Sequence, residues 1–285
     1  MLTNHKSRFS VFRTILLAFF ILQGVSTSCL AAGEMSTGQI LREAMQSLQR
    51  QEFDEAIDYM SMYTDLAVNS KSDRVLIIAQ DVRYKLASLL VIRDRKAEAA
   101  EVLSNYIDRP FAKRMRQAHK MRVACYLDSE MYAECLSAAE SAMEYNENPP
   151  PMAKIPADVD DPFPDDAVEA ATNYNEPYKP DEIEMLYFAI ADSHFGLGQM
   201  EECIESYTYV IENTVNQQRK GYSIMQVVNA LTALEAFERI LAWVPELYRT
   251  PARYDIRVNI ALLGVASALY EAGEYDSVLP LYRMI

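Results

Sequence analysis

Side chains able to do acid–base, nucleophilic or metal chemistry are sparse in this chain and do not cluster. The three histidines are His5, His119 and His194. His5 lies in the basic N-terminal stretch, and His194 falls on an apolar helix face, where a histidine serves packing before it serves as a base or ligand. Cys125, Cys135 and Cys203 are an odd number without the close paired spacing of zinc or dithiol sites. A Cys125–Cys135 bridge across one hairpin stays open in an oxidising compartment. Asp158, Asp160, Asp161, Asp165 and Asp166 could offer hard oxygen ligands to calcium. The run lacks the glycine and ligand spacing of a calcium loop, and Pro162 and Pro164 restrict it, so it reads as a solvated acidic loop. No phosphate loop, nucleophile elbow or metal-binding helix motif is present. The expectation is a protein that is not an enzyme and needs no cofactor and no metal.

Charge gives the clearer signal. Between Lys71 and Arg122 there are 13 basic and 6 acidic residues, whereas the whole chain carries a net charge of −14. Lys113, Arg116 and Lys120 recur at three- and four-residue spacing, which places them on one helix face. That face could dock an acidic partner, a lipid headgroup or a polysaccharide, or it could be matched by acidic units of the same chain.

Lys6, Arg8 and Arg13 precede the apolar run Ile15 to Leu22 and the small-residue stretch Ser26 to Gly33. The run is too short to span a bilayer comfortably, so residues 1–33 read as a secretory signal peptide and the protein as exported, to the periplasm or the outer membrane. Cleavage after Ala31 or Ala32 would start the mature chain near Glu34. Lipidation at Cys29 is the less favoured alternative, because Ser26 stands where that signal prefers an aliphatic residue. Without the three leader cations the balance is 24 basic against 41 acidic residues, near −17. Nonspecific binding to nucleic acid is thereby disfavoured, and contact with a membrane would run only through a lipid anchor or a partner.

The elements that must position these residues are helices. Half of the residues are hydrophobic and only 8 are Gly, which suits a helical protein with few tight turns. From Glu184 to Asn213 two amphipathic helices meet at Gly198, with Leu186, Ile190, Ala191 and His194 on one and Cys203, Ile204, Tyr207 and Ile211 on the other. Ala191 and Cys203 are small residues where antiparallel helices approach. The pattern returns in Ile40 to Asn69 with the pair Ala44 and Ala56, although Gln51-Glu52 replaces a glycine turn. It returns again in Val82 to Ile92 and Lys96 to Ile107 with Ala87 and Ala99, the first helix extending back to about Asp73, and in Arg114 to Tyr145 with Val123 and Cys135. Tyr222 to Val244 reads as one long amphipathic helix, paired with a short helix at Pro245 to Arg249. A last unit begins near Asp255, with Ala266, Gly273, Tyr275 and Tyr282. Its second helix stops at Ile285, which reads as part of a longer protein.

These units resemble the tetratricopeptide repeat, a helix-turn-helix unit of about 34 residues. The resemblance implies an all-α fold, a right-handed α-solenoid of stacked helix-turn-helix repeats whose first helices line a concave groove. Repeats occupy residues 34–145 and 183–285. Residues 146–182, with eight prolines, form an acidic insertion between them, with one turn of helix expected at Ala167 to Thr172. Carried over position by position, the groove-facing residues are Asp81, Tyr84 and Ser88; Gln117, Lys120 and Ala124; Met185, Phe188, Asp192 and Phe195; and Leu263, Ser267 and Tyr270. The expected partner-binding set is Tyr84, Lys113, Arg116, Lys120, Phe188, Asp192, Phe195 and Tyr270. A groove for a C-terminal carboxylate would need Asn where Ala124 stands, so that specialisation is not expected.

What this implies is a scaffold of the bacterial cell envelope that binds a segment of a protein partner, such as an envelope or outer-membrane assembly component. Alternatives are a cell-surface protein binding glycans or nutrients through Tyr84, Phe188 and Phe195, and the N-terminal scaffold of a larger enzyme or transport component.

Overall fold

The computed structural model describes residues 35–151, 153–156, 159, 162–163, 177–254 and 256–284. Among the described residues all regular structure is helical. The helices are α1 (Thr37–Gln49), α2 (Phe53–Ala67), α3 (Asp73–Ile92), α4 (Lys96–Ile107), α5 (Met115–Asp128), α6 (Tyr132–Glu147), α7 (Pro180–Gly196), α8 (Met200–Asn213), α9 (Gln217–Ala233), α10 (Phe237–Tyr248), α11 (Ile256–Glu271) and α12 (Tyr275–Met284). The signal-peptide residues 1–33, the expected turn at Ala167 to Thr172 and the aspartates at 158, 160, 161, 165 and 166 lie outside the described residues.

The chain divides into two compact units, Met1–Asn69 and Ser70–Ile285. In the first, α1 and α2 form a single hairpin. Its start is fixed by a reciprocal cap: Ser36 Oγ accepts from the Gln39 amide at 3.3 Å, and the Ser36 amide donates to Gln39 Oε1 at 2.8 Å. In the second, successive helices pack on one another from α3 to α9, with α10, a short 3₁₀ turn at Pro251–Tyr254, α11 and α12 closing the series. Helix α6 packs directly on α7. The order of the helices therefore continues across the sequence between Glu147 and Pro180.

One turn recurs in every hairpin. Gln51, Asp94, Glu130, Gly198, Glu235 and Gly273 all have positive φ, between 55° and 84°, each two residues past the last helical residue. The next amide reaches back five residues, as from Glu52 to Ser47 at 2.9 Å, Arg95 to Leu90 at 2.8 Å, and Ala236 to Leu231 at 2.9 Å. These bonds satisfy carbonyls that the helix end would leave orphaned. Seven residues before each turn residue and five after it stand Ala44 and Ala56, Ala87 and Ala99, Val123 and Cys135, Ala191 and Cys203, Val228 and Ile240, and Ala266 and Val278. All of these are buried, so the small-residue pairing expected from the sequence is where each hairpin closes.

The segment from Tyr222 to Val244 corrects the sequence reading. It is two helices, α9 and α10, broken at Leu234 to Ala236. Helix α9 starts earlier than its apolar face, because Asn216 Oδ1 accepts from the amides of Gln218 at 3.0 Å and Arg219 at 3.1 Å. The expected short helix at Pro245 to Arg249 is the end of α10, which holds Pro245 within it. With Val228 and Ile240 in place of small residues and Glu235 in place of glycine, this hairpin hides its signature while keeping the turn. A residue with a Cβ in the left-handed region carries a steric penalty that glycine lacks. Glu235→Gly is accordingly expected to stabilise the second unit by about 1 kcal/mol, and Gly198→Ala to destabilise it by a similar amount. Shifts of the urea midpoint in opposite directions would check the pair.

Candidate interaction site

The basic region is built by α3, the linker after α4, and α5. Asp81 on α3 is almost wholly buried and faces that linker. Its Oδ2 accepts from Lys113 Nζ at 2.7 Å, and its Oδ1 lies 3.6 Å from Arg114 Nη1. The Arg114 guanidinium also sits 5.0 Å over the Tyr84 ring. Beneath it, the Tyr106 hydroxyl accepts from the Arg114 amide at 2.7 Å, and burial pushes that phenol above its ordinary range. Gln80, also buried, donates to the Tyr106 and Arg109 carbonyls and accepts from Arg83. Polar groups on the inner face of α3 thus fix the path of the chain into α5.

Helix α5 meets the start of α7. Glu182, in the first turn of α7, receives Arg116 and, at 2.5 Å, Lys120, and its Oε2 accepts from the Lys179 amide at 2.8 Å. Just before it, Tyr178 is buried with its ring 5.1 Å from the Arg116 guanidinium, its hydroxyl donating to the Arg116 carbonyl at 3.4 Å and its amide to Asn146 Oδ1 at 2.5 Å. Phe163, in the same insertion, is buried with Lys85 Nζ 5.7 Å from its ring centroid. Lys85, Lys113, Arg114, Arg116 and Lys120 are therefore matched within the chain by Asp81, Glu182 and the insertion's aromatic rings.

Further along α5, His119 is buried with its ring stacked 5.0 Å from Tyr145. Desolvation, with the nearby Arg122 charge adding to it, lowers its pKa to about 4. The imidazole is thus neutral across the physiological range.

The expected binding residues separate into two groups, with Tyr270 in neither. Tyr84 of α3 lies under Arg114, and Arg116 and Lys120 share Glu182, but Lys113 stands in the linker before α5, paired with Asp81, and not on the expected helix face with them. On α7, Phe188 lies between Tyr207, at 5.8 Å edge-on, and Tyr222, at 5.4 Å. Phe195 also packs against the core of the later helices. Asp192 is half-buried and accepts from the Tyr207 hydroxyl, and burial raises its carboxyl above the usual range. These three side chains hold α7 against α8 and α9. Tyr270 is exposed on α11 and meets Tyr275 edge-on at 5.3 Å. The sequence reading missed Glu182, Glu184 and Tyr178. Glu184 is buried and accepts from Arg219 of α9, and the signal for both carboxylates was a first helical turn rich in acid just after Pro180.

The cysteines are buried free thiols, so no bridge joins Cys125 and Cys135. Burial pushes Cys125 up to about 11 and Cys203 up to about 12, which leaves both as weak nucleophiles. Among the described residues no three His, Cys, Asp or Glu side chains are placed to hold a metal. No helix there is long and apolar enough to cross a membrane.

No family model and no curated protein matches the chain. Among solved structures, it is similar to TPR-like repeats of a kinesin light chain from Podosopora anserina, at 12% identity and a TM-score of 0.42, covering 76% of this chain and 95% of that one. A Rap protein complexed with competence and sporulation factor is similar at 14% identity and a TM-score of 0.33, covering 87% and 73%. The TPR2AB domain of yeast Sti1 is similar at 14% identity and a TM-score of 0.29, covering 87% and 88%. Likenesses this coarse carry no argument about ligand or mechanism. The chain's own hairpins, in a shared turn register with buried residue pairs at fixed offsets, make it a TPR-like α-helical repeat protein.

Proposed function

We propose that the protein is an exported, non-catalytic scaffold that binds an extended segment of an envelope protein through the face of α3 and α5. The observation that carries this reading is that the face already accommodates non-helical chain and an acidic side chain: Phe163 under Lys85, Tyr178 on Arg116, and Glu182 at the start of α7 on Arg116 and Lys120. Cations with alkyl stems beside tyrosine rings suit an acidic, aromatic peptide. The glycan alternative loses support, because Phe188 and Phe195 pack against the chain's own core and only Tyr84 of its three platforms remains at this face.

The test is crosslinked capture from envelope extract by the full chain beside Lys85→Glu with Lys120→Glu, both variants being checked for helical content. Retention of one identified protein, weakened about tenfold by the charge reversals, supports the reading. Capture of no protein, or capture indifferent to the reversals, overturns it.

A further inference from the structure

Arg122 is out of place in the repeat. It stands eight residues before the turn residue Glu130, and the same position in the other hairpins of the second unit is Leu86, Ile190, Val227 and Val265. Leu86, Val227 and Val265 are buried there as core residues, and Arg122 is buried as they are, with 9% of its surface exposed. Its Nε is shut off from solvent with no acceptor, and no carboxylate among the described residues forms an ion pair with its guanidinium. Asp108, Tyr126 and Tyr178 act on it only through longer-range electrostatics. A desolvated guanidinium left in this state is strongly unfavourable unless an anion joins it.

Two neighbours on the same helix each leave one nitrogen unpartnered, although the Arg116 guanidinium also pairs with Glu182. Arg116 Nε and His119 Nδ1 are both buried and without a hydrogen-bond partner. Arg116, His119 and Arg122 follow one another at three-residue intervals along α5, flanked by Tyr145 of α6 and by Tyr178.

We infer that Arg122, with His119 and Arg116, forms a binding site for a small oxyanion bearing at least two terminal oxygens, of the phosphate, sulfate or carboxylate kind. The planar fork of Arg122 matches two such oxygens, and the His119 Nδ1 and Arg116 Nε positions offer the further donors. The site adjoins the partner face, since Arg116 also meets Glu182 and Tyr178 there, but Arg122 and His119 take no part in that face, so the Arg122 variants test it apart from Lys85 and Lys120.

The experiment is titration calorimetry and thermal melting of the full chain with inorganic phosphate, sulfate or acetate, each against chloride at equal ionic strength. The wild type is expected to bind at least one of the three with one-to-one stoichiometry, and which one binds identifies the anion class. Arg122→Leu installs the residue that the second hairpin, α3–α4, carries at this position. It is expected to melt in chloride at or above the wild-type temperature and to bind the anion about 10- to 100-fold more weakly. Arg122→Lys, which keeps the charge but loses the fork, is expected to fold and to bind more weakly than wild type. Three results would overturn the inference: no oxyanion effect beyond chloride in the wild type, binding unchanged in either variant, or collapse of Arg122→Leu.

Discussion

Asp81→Ala is expected to cost about 3–5 kcal/mol, the largest loss from any single side chain in the basic region. Asp81 is 1% exposed and faces Lys113 at 2.7 Å and Arg114 at 3.6 Å, and Arg114 is itself only 4% exposed. Removing the carboxylate leaves a buried guanidinium facing a small cavity, and that desolvated charge, more than the lost attraction, sets the cost. The effect should also be local. Arg114 stacks over Tyr84 and its amide bonds Tyr106, so the linker from α4 into α5 would loosen together with the face that carries Lys113. Urea unfolding of Asp81→Ala, Arg114→Leu and the double variant checks this as a cycle. The double variant should recover a substantial part of the loss, because the stranded charge goes with its partner. A loss below about 1 kcal/mol in Asp81→Ala would place the pair with solvent-screened surface ion pairs instead.

The cycle also shows where the sequence stops being readable. Helix α3 from Asp73, helix α7 from Pro180, and the pairs Ala87 with Ala99 and Ala191 with Cys203 were legible, because each is set by neighbours within one or two turns. Gly198 and Gly273 marked their turns for the same reason. The break between α9 and α10 was hidden. Its turn is made by backbone hydrogen bonds that any residue can supply, and Glu235 meets the left-handed conformation at a modest penalty. The apolar positions on either side continue a helical period across the break, so the pattern alone reads as one rod. The candidate site was legible in composition only. Lys113, Arg116 and Lys120 announced a basic face, but their partners stand 32, 66 and 62 residues away, and only the stacking of the hairpins brings them together. Phe188 and Asp192 show the reverse failure. Spacing placed them on the outward face of a first helix, and the next helices, through Tyr207 and Tyr222, closed over them.

Acid should unfold this protein earlier than its carboxylates alone require, through His119. Its pKa falls from an ordinary 6.5 to about 4 on folding, so between those values the unfolded chain binds the proton and the folded chain does not. Stability then rises with pH over that window. The contribution is fully present above about pH 7, declines as pH falls from 6.5 to 4, and is flat below. Two and a half units at 1.36 kcal/mol each make the total about 3 kcal/mol, good to about one unit of pKa. His119→Phe keeps an aromatic ring against Tyr145 and removes the proton site. Carboxylates titrate in both proteins, so the difference between the two stability curves isolates the histidine. It should change by about 3 kcal/mol from pH 7 to pH 4, in favour of the variant at low pH, and parallel curves would refute the assignment. Arg122→Leu should narrow the same window from its acid side, since the guanidinium is the second cause of the depressed value. Burial alone would then hold the imidazole neutral, so the acid sensitivity that remained would measure the share of burial, and the part lost would measure what the cation supplies.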